Sequence, residues 1–381
     1  MRVSSRGDVD PFIVMVILQL AEEAEAKGHH VIHLEIGQPG TPAPAAARAA
    51  VENSMNARSL GYTQSRGLPA LRDRIARLYR DWYGVTIDPA RVLVTPGSSG
   101  GFVLSFASLF DAGQRVGIAN PGYPAYRQIL KAQGLEPVLL ETTPEDGYRL
   151  RPDQITEAGL DGVLVASPAN PTGTMMDRAG LTGLIEAAQA TGTTFISDEI
   201  YHGLHYTQPA VSALEISDDV VVINSFSKYF SMTGWRIGWM IVPEAIAERV
   251  DKLSQHMFIC APHVSQVAAL AALDAGDELE ANRATYATNR EVMIDGLTRA
   301  GFTDIAPPDG GFYVYADISH LGGDSLDLAK ALLEEEGVAV TPGHDFDPQR
   351  GGQTWRFSYA SATADIVEGM ARIARFTARR R

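Results

Sequence analysis

The stretch Val221-Val222-Ile223-Asn224-Ser225-Phe226-Ser227-Lys228 decides how this chain is read. Its apolar start predicts a buried strand, and the polar residues that follow predict a turn presenting one lysine among hydroxyls. Lysine is scarce: the chain has five, Lys27, Lys131, Lys228, Lys252 and Lys330, against 27 arginines. The other four fall in polar or amphipathic runs that read as solvated helix faces. Desolvation at the mouth of an apolar strand lowers a lysine's pKa and lets it attack a carbonyl carbon to form a Schiff base. Downstream, Arg236 in Thr233-Gly234-Trp235-Arg236-Ile237-Gly238 offers a fixed cation suited to phosphate. A lysine for an aldehyde and an arginine for a phosphate together suggest pyridoxal phosphate (PLP).

The 381 residues are enough for two domains with buried cores. A formal charge of −14 argues against nucleic acid or an anionic membrane as a main partner. The Arg-rich end, Arg372 to Arg381, is a local exception that reads as a solvated tail. The one cysteine, Cys260, excludes an internal disulfide, fits a reducing compartment and reads as a buried, inert thiol. The start lacks the order of a signal peptide, and the apolar run Phe12 to Leu20 is too short to span a membrane. A cytoplasmic protein is expected. Asp10-Pro11 reads as the N-cap and first residue of a helix over that run.

Short apolar runs alternate with helical patterns from residue 91 onward: Val92 to Val94, Arg115 to Ala119, Val163 to Val165, Thr194 to Ile196, Val220 to Ile223 and Ile237 to Val242. Such alternation predicts an α/β fold with a mainly parallel central sheet flanked by helices. Phe312 to Tyr315, a helix around Leu326 to Glu336, Val338 to Val340, Trp355 to Tyr359 and a last helix suggest a smaller α/β domain. The expected division is an N-terminal segment (1–40) joining a small C-terminal domain (280–381), with a large domain over 41–279.

Unusual polar residues follow nearly every central run. Thr95-Pro96-Gly97-Ser98-Ser99-Gly100-Gly101 reads as an anion site at a helix N-terminus or as a plain cap. Asn120-Pro121-Gly122-Tyr123-Pro124 reads as a rigid turn or as a platform whose aromatic stacks on a planar cofactor. Ser167 to Gly173 presents Asn170, and Asp198 ends an apolar strand, where a buried carboxylate needs a partner. Parallel sheets bind ligands beyond the carboxyl ends of their strands. PLP calls for a lysine, a carboxylate for its ring nitrogen, donors for its ring oxygen and an anion cradle. Five separate turns supply these.

These residues also carry a resemblance. Asn170-Pro171-Thr172-Gly173, Asp198-Glu199-Ile200-Tyr201, Ser225-Phe226-Ser227-Lys228 and Thr233 to Gly238 resemble the class I/II aminotransferases of PLP fold type I, close to the aspartate-aminotransferase-like branch. The likeness covers nearly the whole chain. It implies that Lys228 carries the internal aldimine and moves the proton, and that Asp198 pairs with the pyridinium nitrogen. It further implies that Asn170 and Tyr201 hold the ring oxygen and that Tyr123 stacks on the ring. Gly97, Ser98, Ser99, Ser225 and Arg236 are the implied phosphate contacts, with Ser227 left open. Arg356, with backbone at Gly37, would clamp the substrate α-carboxylate. Tyr62, in Gly61 to Leu68, matches a tyrosine that reaches the neighbouring subunit's phosphate, which implies a homodimer.

Gly40-Thr41-Pro42 departs from the acidic-aromatic pair that many relatives carry after Gly37-Gln38-Pro39. The side-chain pocket is expected to be lined by Val14, Met15 and Ile17 and by Tyr62 of the partner subunit. It shows no basic residue for a second carboxylate, which points to neutral amino acids, with glutamate or 2-oxoglutarate as a second partner. Two rival readings share much of this pattern: a PLP-dependent C–S β-lyase on the same scaffold, and an effector-binding regulator. The regulator would need a DNA-binding module, and only about ten residues precede the first helical pattern.

Overall fold

The computed structural model describes residues 1–57 and 59–380. A two-residue strand β1 (Ile32–His33) precedes the seven strands of the central sheet. These are β2 (Val92–Thr95), β3 (Arg115–Asn120), β4 (Glu136–Glu141), β5 (Gly162–Ala166), β6 (Thr194–Asp198), β7 (Val221–Ser225) and β8 (Gly238–Ile241). Their spatial order is β2-β8-β7-β6-β5-β3-β4. Every pairing is parallel except those of β8 with β2 and β7. A parallel neighbour demands a crossover, and the helices Pro124–Ala132 (β3 to β4) and Arg178–Thr191 (β5 to β6) supply two, while Gly97–Leu109 carries the chain across the sheet from β2 to β3. β8 instead returns directly from the turn that carries Lys228, which is why it runs backwards.

Successive side chains go to opposite faces, and both faces are dry. Val92, Val94, Phe195, Val222 and Trp239 join one buried cluster, whereas Leu93, Ile196, Val221, Ile223 and Met240 join the other. This two-sided burial explains continuous apolar runs in place of alternation. The strand β4 was not foreseen. Pro137 cannot donate to a ladder, and Glu136-Pro137-Val138-Leu139-Leu140-Glu141 is tolerated because β4 lies at the sheet edge.

The second region holds an antiparallel sheet of β9 (Tyr313–Asp317), β11 (Thr341–Pro342) and β12 (Thr354–Ser358), in the order β11-β12-β9. β1 pairs in parallel with β10 (Val338–Ala339), so the chain's start is stitched to its end. The helix Gly276–Ala300 runs through the expected division at 279/280.

Three expectations need correction. The first long helix spans Val14–Ala26 and is not capped by Asp10, whose carboxylate instead accepts from Gln128. The backbone N–H groups of Ile13 and Val14 donate to Asp345 at 2.7 and 2.8 Å, so a distant carboxylate caps this helix. The Arg-rich end is no free tail: the helix Thr363–Ala378 docks Arg375 and Arg379 on Glu336, and Arg379 and Arg380 on Glu335. Arg381 lies outside the described residues. Cys260 is partly exposed, not buried, because it follows the exposed Ile259 in a turn with positive φ.

Candidate active site

The carboxyl ends of β2, β3, β5, β6 and β7 open on one cavity of about 340 Å³. Its walls include Ser98, Ser99, Tyr123, Asn170, Asp198, Tyr201, Ser227, Lys228, Arg236 and Arg356, with Gly37 from the loop after β1. Among the five lysines Lys228 alone is withdrawn from solvent; Lys27, Lys131, Lys252 and Lys330 are exposed. Its Nζ donates to the Gly37 carbonyl at 2.5 Å and sits 5.6 Å from the ring centroids of Tyr201 and Phe312. Burial lowers the Lys228 pKa, and the charges of Arg356 and Arg236 push the same way.

Asp198 is the last residue of β6 and is 2% exposed. Burial pushes its pKa up to about 6, against the Tyr126 hydroxyl and the Ile200 N–H that donate to it. A buried carboxylate with only neutral donors as direct partners is prepared for a cationic one. At the opposite end of the cavity, the helix Gly97–Leu109 begins after Pro96 with no side-chain cap. Its first N–H groups are thus left without a side-chain acceptor, and the helix dipole favours an anion there. Arg236, held in the left-handed region at φ 51°, lies against this end and has no carboxylate partner among the described residues. A Cβ at Gly97 (φ 72°) would come within 2.6 Å of its Nη2, so glycine is required there.

Arg356, on β12, is 5% exposed. Its Nη1 donates to Asn170 Oδ1 at 3.1 Å, and its Nη2 to the Glu35 carbonyl at 2.6 Å and Thr341 Oγ1 at 3.1 Å. Tyr313 and Phe346 sandwich the guanidinium, with centroids 4.3 and 4.9 Å away. The Nε–H is buried and has no hydrogen-bond partner among the described residues. Tyr123 lines the cavity edge-on to Tyr126 at 5.3 Å, and burial raises its pKa to about 12.

Some expected residues stand elsewhere. The Ser225 hydroxyl is turned away, 2.8 Å from Ser227 Oγ and 3.0 Å from the Ile237 carbonyl, and Ser227 lines the cavity in its place. Gly97 packs under Arg236 rather than lining the cavity, and Tyr62 is 83% exposed outside it. Ile17 faces the core; Phe12, Val14, Met15 and Leu18 form the apolar wall. Helical phase explains this, since residues 14, 15 and 18 share a face that 17 leaves.

Other residues were missed. Tyr126, Tyr313, Asp345 and Phe346 line the cavity through contacts no local motif announces. Glu35 does so too. Its Oε1 lies 2.7 Å from His33 Nδ1, and His33 Nε2 lies 3.3 Å from Glu25. The only sequence signal is the two-residue spacing that puts both side chains on one side of an extended segment. The Glu35 carboxylate raises the His33 pKa to about 9. A raised histidine pKa gives stability that is full below the unfolded value near 6.5 and is lost as pH rises through about 9. We expect the thermal midpoint of wild type to fall across that window. His33→Leu should flatten that fall and cost on the order of 2 kcal/mol at pH 6. Unchanged pH dependence in that variant would show that the pair adds nothing.

The family model "Aminotransferase class I and II" matches residues 29–376. The chain belongs to the class I and II aminotransferases. It is 44% identical, over 98% of its length and 97% of the other, to the valine–pyruvate aminotransferase of Mycobacterium tuberculosis. An aminotransferase structure from the same organism superposes with a TM-score of 0.97 at 43% identity, covering all of both chains. The aspartate aminotransferase of Thermus thermophilus superposes at 0.93 with 28% identity, covering 99% of this chain and 100% of that one. The protein is therefore an aminotransferase, with pyridoxal phosphate as its cofactor and amino and keto acids as substrates. Its cavity suits that cofactor: an uncapped helix end beside an arginine with no carboxylate partner among the described residues, a buried carboxylate with neutral donors and a desolvated lysine. Among the described residues, no helix is long and apolar enough to cross a membrane.

Proposed function

We propose that this aminotransferase works on neutral α-amino acids, with Lys228 as its catalytic base and Arg356 as its carboxylate anchor. The observation carrying this is a single cavity with one desolvated lysine, one buried arginine with a spare N–H, and an apolar wall of Phe12, Val14, Met15 and Leu18. When bound, PLP supplies an aldehyde that holds the amino group and a ring that accepts electrons.

The chain's own residues divide the remaining work. The first N–H groups of Gly97–Leu109, with Ser98, Ser99, Ser227 and Arg236, hold the phosphate. Asp198 keeps a proton on the ring nitrogen by staying ionised beside it. Asn170 and Tyr201 donate to the ring oxygen, and Tyr123 covers a ring face. Lys228, its pKa lowered by burial, would take a proton from the substrate Cα and deliver it to the cofactor's former aldehyde carbon, so that the amino group stays with the cofactor and the substrate leaves as a keto acid. Arg356, helped by a backbone donor at Gly37, holds the substrate α-carboxylate. Ser225 buttresses Ser227.

The apolar wall offers no cation for a second carboxylate, and a relative named for valine and pyruvate supports the same preference. Arg356→Lys keeps the charge but loses the planar fork and its stacking between two rings. We expect kcat/KM to fall on the order of 10²-fold, alike for every amino acid tested. A loss confined to one substrate would move Arg356 to side-chain recognition.

We also propose a cytoplasmic homodimer in which Tyr62 of the partner subunit completes the phosphate site. The exposed Tyr62, Met257 and Ile259 support it, because the His263 bond to the Gly61 carbonyl (2.8 Å) brings their segments together. We keep 41–279 and 280–381 as the large and small domains, with 1–40 joined to the latter.

The test is a half-reaction screen: the cofactor-loaded enzyme is mixed with single amino acids and keto acid formation is followed. Valine and similar neutral amino acids should react fastest. Aspartate outpacing them would overturn the preference, and ammonia with pyruvate from cystathionine would indicate a lyase.

A further inference from the structure

Tyr313 stands where three parts of the site meet. Its hydroxyl lies 2.9 Å from that of Tyr201, and both side chains are buried. Its ring lies 4.3 Å beneath the Arg356 guanidinium. The same hydroxyl occupies the space that a Cβ at Gly37 would need, and the Gly37 carbonyl accepts from Lys228.

A phenol has one proton to donate. If Tyr201 gives its proton to the cofactor's ring oxygen, its own oxygen is left to accept from Tyr313. The bond between the two then has one direction. We propose that Tyr313 is a positioning residue: its hydroxyl donates to Tyr201 and aims the Tyr201 proton at the ring oxygen, while its ring face holds the plane of Arg356. This rests on the roles assigned to Tyr201 and Arg356 under the proposed function.

Two comparisons within the chain separate this from ordinary core packing. Tyr315, two residues along the same strand, satisfies its hydroxyl on Thr354 at 2.7 Å and does not line the cavity. Phenylalanine would serve the stacking on Arg356 equally well, yet the space kept open at Gly37 is space for a hydroxyl.

The test uses cofactor-loaded enzyme with two readouts: the pH midpoint of the visible absorbance, and the dissociation constant of 4-methylvalerate, an unreactive monocarboxylate. A donor favours the ionised ring oxygen, so losing it raises the midpoint. Tyr313→Phe should raise it by about one pH unit with 4-methylvalerate binding within about twofold of wild type. Tyr201→Phe should raise the midpoint at least as far. Tyr313→Leu should in addition weaken 4-methylvalerate about tenfold through the lost ring face. A wild-type midpoint in Tyr313→Phe, with Tyr201→Phe shifted, overturns the role of Tyr313 alone. If neither substitution moves the midpoint, the assignment of Tyr201 to the ring oxygen falls with it.

Discussion

Lys228→Ala is expected to keep weak cofactor binding and to lose at least ~10²-fold in turnover with every amino acid. The phosphate contacts proposed for Ser98, Ser99 and Arg236 do not pass through Lys228, so the cofactor should still be recruited. What is lost is a positioned base whose pKa burial has brought down. No other lysine can replace it, since the remaining four are exposed and outside the cavity. Stopped-flow turnover with valine checks this, and near-wild-type rates in the variant would remove Lys228 from the chemistry.

Asp198→Ala should cut turnover by on the order of 10²–10³-fold while the protein stays folded. In the cofactor-free protein the carboxylate is costly, since burial raises its pKa to about 6 and its direct partners are neutral donors. A raised carboxyl pKa means stability is full below about 3.8 and is lost as pH rises through about 6. The variant should therefore be at least as stable as wild type at pH 8 without cofactor, apart from the cavity left near Tyr126. Its turnover should suffer because a ring nitrogen without an adjacent anion gives up its proton and accepts electrons poorly. Turnover near wild type would leave Asp198 with a structural role only. Thermal melts beside turnover assays separate the two effects.

The strand-end turns were legible because both signals are local there. A run of Val and Ile ends abruptly, and the polar residues Asn170, Asp198 and Lys228 that follow such runs line one cavity. Ser225 matched by position, but its hydroxyl bonds to the Ile237 carbonyl just before β8, a partner the local sequence does not announce. Tyr313 and Phe346 were hidden for the opposite reason. In Phe312-Tyr313-Val314-Tyr315 an aromatic strand reads as core, and only the pairing of β9 with β12 brings Tyr313 under Arg356. The cap on Val14–Ala26 comes from Asp345, far along the chain, so the nearer Asp10-Pro11 looked like the start. Edge strand β4 escaped because its proline breaks the apolar run. Strand-end positions were readable, whereas contacts made by chain return were not.

On the proposed mechanism Lys228 alone holds the cofactor covalently. Borohydride reduction of the cofactor-loaded enzyme, followed by peptide mapping, tests it most directly. The expected result is loss of the visible absorbance and one labelled peptide, carrying the modification on Lys228 within Ser225-Phe226-Ser227-Lys228. Label on Lys252 or any other lysine, or a bound chromophore that borohydride leaves unattached, would contradict it.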